Sequence, residues 1–271
     1  MNIIQGLNIE GFELDTAENF NSIPGIKGWY DARFRKTIVN TDDLSLWGDL
    51  SPIGNNLAAA SAQRYLKEIG GFKIRSTVTG GTIRQLISLR RDFTFLHNGS
   101  PFGIYCICKP DINTTLSNAF ILLQTTPGVG GVGVQFFIES GGRVTYAIFN
   151  ETIQASSCRT NNIAAGRLTF DVIQSIGVTY NGTTVNTASN WNLWRDNFSM
   201  TKSASSSGPL SNNNHTVFIG PYANFTDNVL DIYTLLIYDW TGKTPFEVAQ
   251  YDTAIRSILS NLKSTFETLE L

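Results

Sequence analysis

From about residue 72 onward, apolar and polar positions alternate in short runs, each closed by Gly, Asn or Pro. The runs are FKIRSTV, FGIYCICKP, AFILLQTT, GVQFFIES, RVTYAIFNE, FDVIQSIGVTY, NWNLWRDN, TVFIGPY and VLDIYTLLIYDW. Val, Ile, Phe, Tyr and Thr fill them, and these branched or flat side chains suit a pleated surface. Tyr180-Asn181-Gly182-Thr183 carries the Asn-Gly pair of a tight type I′ turn, and Glu139-Ser140-Gly141-Gly142-Arg143 reads as a Gly-Gly turn between apolar strands. No helical period separates the runs, so the crossovers of a parallel sheet are missing. The pattern predicts an all-β antiparallel sandwich of two sheets. Two stretches break the alternation. AAASAQRYLKEIGG, after Leu57, reads as more helix-like, and SMTKSASSSGPLSNNNH (199–215) reads as a long surface loop.

The C-terminus changes period. Thr244-Pro245-Phe246-Glu247 places a capping Thr, a Pro at the first helical position and a Glu three residues after the cap. Tyr251, Ile255, Ile258, Leu262 and Phe266 then recur at helical spacing. A helix of about twenty residues is expected within 244–271, packing on the sandwich or extending from it toward a neighbour.

Composition narrows the function classes. Lys+Arg (20) nearly balances Asp+Glu (22), so no basic field for nucleic acid exists. No apolar run approaches the roughly 20 residues that span a bilayer, so no membrane insertion is expected. MNIIQGLNIEGFELD has neither a basic segment nor a continuous apolar one, and no signal peptide is read there. Cys106 and Cys108, two apart in a strand run, point to one face and read as buried thiols.

Motifs with chemical meaning lack their context. Gly128-Val129-Gly130-Gly131-Val132-Gly133 matches G-x-G-x-x-G, but a hairpin follows where a phosphate site needs a helix. His97 and His215 have no partner at ligand spacing, so no metal and no cofactor are expected. Glu13-Leu14-Asp15-Thr16-Ala17-Glu18 has the E-x-D-x-x-E order of a glycosidase pair, but it stands before the sandwich begins. No catalytic residue is assigned, and a glycoside hydrolase using Glu13 and Glu18 is the least favoured reading. Candidate ligand-binding residues are Trp191 and Trp194 in NWNLWRDN, with Tyr222, Asn224 and Asp227 in the turn IGPYANFTDN. Aromatic rings stack on the apolar faces of sugars, and on a strand the two tryptophans face opposite ways, so at most one belongs to the core.

One region carries a resemblance. Ile23, Pro24, Gly25, Trp29, Tyr30, Asp31 and Ala32, followed by Trp47, Asp49, Ser51, Gly54, Asn55, Asn56 and Leu57, resemble the opening of the concanavalin A-like, laminin G-like jelly-roll domains. SPFGIYCICKPD, SIGVTYNGTT and the segment from VFIGPY to TPFEV are similar to later strands of that family. The resemblance implies a jelly roll over 23–243, preceded by an N-terminal arm over 1–22. Such domains occur in bacteriophage virion proteins and bacterial surface proteins. The expected role is therefore a non-enzymatic virion component: a head- or tail-attached fibre, decoration or adhesin subunit. It is made in the host cytoplasm, assembles with other virion chains as an oligomer, and binds host-surface glycan. The alternative is a carbohydrate-binding module of a bacterial surface or secreted protein.

Overall fold

Alternation along the chain produces strands, and antiparallel pairing joins them into two sheets. The computed structural model describes residues 20–34, 38–39, 44–59, 66–69, 73–76, 86–110, 120–125, 133–138, 142–150, 153–160, 167–183, 187–196, 198–200, 202–205, 216–219 and 230–270. In chain order the strands are β1 (Ile26–Asp31), β2 (Ile38–Val39), β3 (Leu46–Trp47), β4 (Leu57–Ala59), β5 (Leu66–Ile69) and β6 (Lys73–Ser76). They continue as β7 (Leu86–Ser88), β8 (Phe102–Pro110), β9 (Phe120–Gln124), β10 (Gly133–Ile138), β11 (Val144–Asn150) and β12 (Ile153–Thr160). The last are β13 (Gln174–Tyr180), β14 (Trp191–Arg195), β15 (Phe198–Ser199), β16 (Lys202–Ser205), β17 (Phe218–Ile219) and β18 (Leu230–Asp239), before helix α1 (Pro245–Leu269).

Among the described residues one sheet has ten strands, in the order β16-β12-β11-β10-β9-β17-β7-β4-β3-β2. The other has eight, β15-β14-β13-β8-β18-β6-β5, with β1 also beside β18. Strand β18 organises this second sheet. One of its edges pairs with β8, while the other is shared by β6, opposite Leu230–Ile232, and β1, opposite Thr234 to Tyr238. The two sheets and their pairing make a jelly-roll sandwich.

Strand β8 shows how the layers are built. Phe102, Ile104, Cys106 and Cys108 point inward and meet Leu122, Val134, Phe136 and Tyr146 of the ten-stranded sheet. Tyr105 and Ile107 point outward, yet they too are buried, in a second core with Trp29, Trp194, Leu236 and Tyr238. Helix α1 closes that second core with Val248, Ile255, Leu259, Leu262 and Phe266. Each such side chain taken from water stabilises the docking by about 1.5–3 kcal/mol. This double burial explains why FGIYCICKP is almost continuously apolar. The helix starts as its sequence requires: Thr244 Oγ1 accepts from Glu247 N–H, and the Glu247 carboxylate accepts from Thr244 N–H.

Several expectations are corrected. Leu57–Ala59 and Leu66–Ile69 are strands rather than helix, because pairing with β7 and β6 overrides the helical propensity of Ala, Leu and Lys. The stretch read as a loop over 199–215 supplies β16, paired with β12, and ends β15. Asn181-Gly182 does not form a two-residue hairpin. The connection runs on until Asn181 N–H meets the Asn190 carbonyl, and Asn181 Oδ1 instead accepts from Thr183 N–H and Oγ1. The packed chain begins before residue 23: Phe20 is fully buried against Trp29, and its carbonyl accepts the Tyr238 hydroxyl.

Candidate functional site

The loop between β3 and β4 bridges the two sheets, and its construction rests on one carboxylate. Asp49 is buried, and its Oδ1 accepts the backbone N–H of Trp29 on β1 at 2.8 Å and of Ser51 at 2.8 Å. Its Oδ2 accepts the Ser51 hydroxyl at 2.6 Å and the Asn55 N–H at 2.7 Å. A charged acceptor with four donors fixes both the loop and the adjoining strand. Asn56 Oδ1 accepts the Asp49 N–H, and the Tyr30 hydroxyl donates to the Asn55 carbonyl at 2.6 Å. Burial, followed by the nearby Asp49 and Asp92 carboxylates, holds the Tyr30 phenol well above its ordinary pKa, so it stays a donor.

The same asparagines reach across to the segment after β7. Asn55 Oδ1 accepts the Arg90 N–H at 3.1 Å, and the Asn56 carbonyl accepts the Leu89 N–H at 3.0 Å. Ser88 Oγ donates to the Arg90 carbonyl and accepts from Val217 N–H. Every one of these bonds holds backbone. The side chains of Leu89, Arg90 and Arg91 are left exposed, beside a loop whose Pro52 and Gly54 are exposed too. Gly54 has φ +64° and open space where a Cβ would stand, so the turn faces outward. The result is a rigid rim segment that presents an apolar group and two guanidinium groups. Sequence reasoning passed over it, although LRR closing a strand run was the available signal.

The residues expected to bind ligand are placed differently. Trp191 is 3% exposed and packs between the sheets against the tilted rings of Tyr180 at 4.6 Å and Tyr146 at 5.3 Å. Trp194 is fully buried on the opposite face, between Tyr105 and the Arg256 guanidinium on α1. The two rings do face opposite ways, but the helix covers the second face. The expectation that only one of them belongs to the core is therefore corrected, and neither offers a surface for a sugar. Tyr222, Asn224 and Asp227 lie outside the described residues, as do Glu13, Glu18 and His215. His97 is fully buried.

The buried carboxylates beyond Asp49 are engaged in structure. Asp31 pairs with Arg33 at 2.7 and 3.0 Å, and Asp231 with Arg75 through two bonds of 2.6 Å. Asp252 on α1 accepts from Tyr105 at 2.9 Å and Asn192 at 3.1 Å. Glu270, at the helix end, accepts from Tyr233, Lys109 and Lys73. Burial works to raise the Glu270 carboxyl, but the bonds from Lys73, Lys109 and Tyr233 outweigh it and hold it at about 2. Among the described residues no group of three or more His, Cys, Asp or Glu could hold a metal.

The fold is that of a jelly-roll sandwich carrying a docked C-terminal helix. No family model matches the sequence, and no curated protein does. Solved structures do match the fold. The receptor-binding domain of botulinum neurotoxin D superposes with TM-score 0.55 at 10% identity, over 84% of this chain and 52% of that one. The type G receptor-binding domain gives 0.52 at 15% identity, over 84% and 51%. A Trypanosoma rangeli sialidase in complex with sialic acid gives 0.53 at 12% identity, over 84% of this chain and 33% of the sialidase. The chain thus spans about half of the neurotoxin domains and a third of the sialidase. At these identities the likeness is one of fold.

Proposed function

We propose that the chain is a non-enzymatic attachment subunit of a bacteriophage virion, assembled with other virion chains and recognising glycan on the host surface through a rim of the sandwich. The observation that carries this reading is the division of labour among polar groups. Buried carboxylates are committed to holding strands, loop and helix, while the Asp49 loop fixes the backbone at Leu89 and Arg90, where the side chains of Leu89, Arg90 and Arg91 are exposed. A rigid element that presents polar and apolar side chains at a sandwich end is a means of recognition. The sialic acid bound by one structural neighbour and the receptor-binding role of others support glycan as the ligand class. Two measurements test the reading: mass spectrometry of purified particles for this chain, and binding of the purified protein to a glycan array and to host cells. Presence in particles with glycan-dependent cell binding is expected. Absence from particles together with no glycan binding overturns it.

A second reading has its own support. The chain matches only part of each larger neighbour, which suits a carbohydrate-binding module carried within a bacterial surface or secreted protein. Glycan binding by a chain absent from particles would select it.

A further inference from the structure

We infer that the rim segment Leu89–Arg91 is the binding site for an acidic polysaccharide, one bearing carboxylate or sulfate groups, with Arg90 and Arg91 as the anion-binding residues. The inference rests on the glycan-recognition reading above and specifies its site and ligand.

The protein pairs its other cations. Lys27 pairs with Asp239, Arg33 with Asp31, Arg75 with Asp231, Lys109 with Glu270 and Asp171, Lys243 with Glu247, Arg256 with Asp252, and Lys263 with Asp196. Arg195 donates to the Arg167 carbonyl. Among the described residues, the guanidinium groups of Arg90 and Arg91 stand apart, exposed and with neither ion pair nor hydrogen bond. A guanidinium is permanently charged and weakly hydrated, and its fork of donors matches the two oxygens of a carboxylate or sulfate.

Position adds to charge. Free arginines on a mobile tail would signify little, but here Asn55, Asn56 and Ser88 hold the backbone at residues 88–90. The entropy of ordering the segment is already met before a ligand arrives. Leu89, 64% exposed, gives the C–H face of a sugar ring an apolar contact beside the two cations. At the base of the loop the Asn55 amide is fully buried, and its Nδ2 has no hydrogen-bond partner. That amide keeps its orientation to hold Arg90, at the cost of a stranded donor. Nucleic acid fits less well. The chain carries net charge −2, and no exposed aromatic ring stands in the 88–92 segment for a base to stack on.

The side chains are exposed and make neither ion pair nor hydrogen bond, so Arg90→Gln/Arg91→Gln should leave the unfolding midpoint and near-ultraviolet circular dichroism unchanged. The probes are polygalacturonate (carboxylate), dextran sulfate (sulfate) and neutral dextran, with single-stranded oligonucleotide and anionic lipid vesicles alongside. Wild type is expected to bind one or both acidic polysaccharides over neutral dextran. The affinity should fall with salt, and about tenfold or more should be lost in the double variant. Preference for one acidic probe identifies the anion. Arg90→Lys/Arg91→Lys, which keeps charge but not the fork, should recover part of the loss. Equal binding of acidic polysaccharide by wild type and the Gln variant overturns the site. So does binding only to neutral glycans on the array, which leaves the glycan reading intact. Tighter binding of oligonucleotide or vesicle through the same arginines overturns the ligand class. No glycan binding of any kind removes the parent reading and this one with it.

Discussion

Trp194 lies face-on over Gly177, its neighbour across β13 and β14. A Cβ built on Gly177 would stand 2.7 Å from Cε2 and Cζ2 of the indole and 2.8 Å from Nε1. Three ring atoms at one distance mean that the ring plane covers the glycine. At Gly103 too the space of a side chain is taken by rings: a Cβ would meet Trp240 and Tyr105 at 2.7 Å. Rings packed onto glycines keep the outer face of the eight-stranded sheet shallow enough for α1 to seat. Gly177→Ala is therefore expected to cost about 1–3 kcal/mol by overpacking, read as a lower urea midpoint. An unchanged midpoint would mean that the indole moves aside freely.

The Asp49 loop makes a separate prediction. Asp49→Ala strands the N–H groups of Trp29, Ser51 and Asn55 together, at about 2–4 kcal/mol. Asp49→Asn should also destabilise, because its amide turns an N–H toward donors. Both variants should raise hydrogen exchange at Trp29 and Arg90, since the loop joins β1 to the segment after β7. Loss of stability without faster exchange at Arg90 would show that the rim is held independently of Asp49.

These two relationships show what could be seen in the sequence. The sandwich and the helix were legible because alternation and the Thr244–Glu247 box are local signals, written within a few residues of each other. The outer core was not. The helix that buries Trp194 lies about sixty residues further along, and strand alternation alone assigns the ring to solvent. Asp49 and Asn55 were visible as members of a resembled motif. Their work became visible only when the fold brought Trp29 N–H and Arg90 N–H to them, from 20 and 35 residues away. The Ala-rich segment after Leu57 misled for the converse reason, since its strand character comes from its partners.

Asp252 offers a test of how a buried charge is tolerated under the helix. Burial raises its carboxyl, and the bonds from Tyr105, Arg256 and Asn192 oppose that rise without cancelling it. An acid with a raised folded value adds most stability at low pH, and that contribution is lost as pH rises through the folded value. Asp252→Asn keeps an acceptor for the Tyr105 hydroxyl but turns an N–H toward the Asn192 amide and the Arg256 guanidinium, so at neutral pH it should destabilise by about 1–3 kcal/mol. Acidification should then favour wild type over the variant. Tyr105→Phe removes a donor and leaves the carboxylate less satisfied, costing about 1–2 kcal/mol at neutral pH.

Glu270 should show the opposite dependence. Its carboxylate accepts the Tyr233 hydroxyl at 2.7 Å and the Lys109 ammonium at 2.9 Å, and it pairs with Lys73 on β6, so it ties the end of α1 to three strands. Its folded value of about 2 lies below the ordinary glutamate value of 4.5. A depressed carboxyl contributes stability that is complete above 4.5 and is lost as pH falls toward 2. Glu270→Gln should lower stability at neutral pH by about 1–3 kcal/mol, the scale of hydrogen bonds to a charged group. The gap between wild type and variant, measured by urea unfolding at a series of pH values, should close between pH 4.5 and about 2. A gap that stays constant down to pH 2 would show that Glu270 anchors the helix by shape rather than by charge.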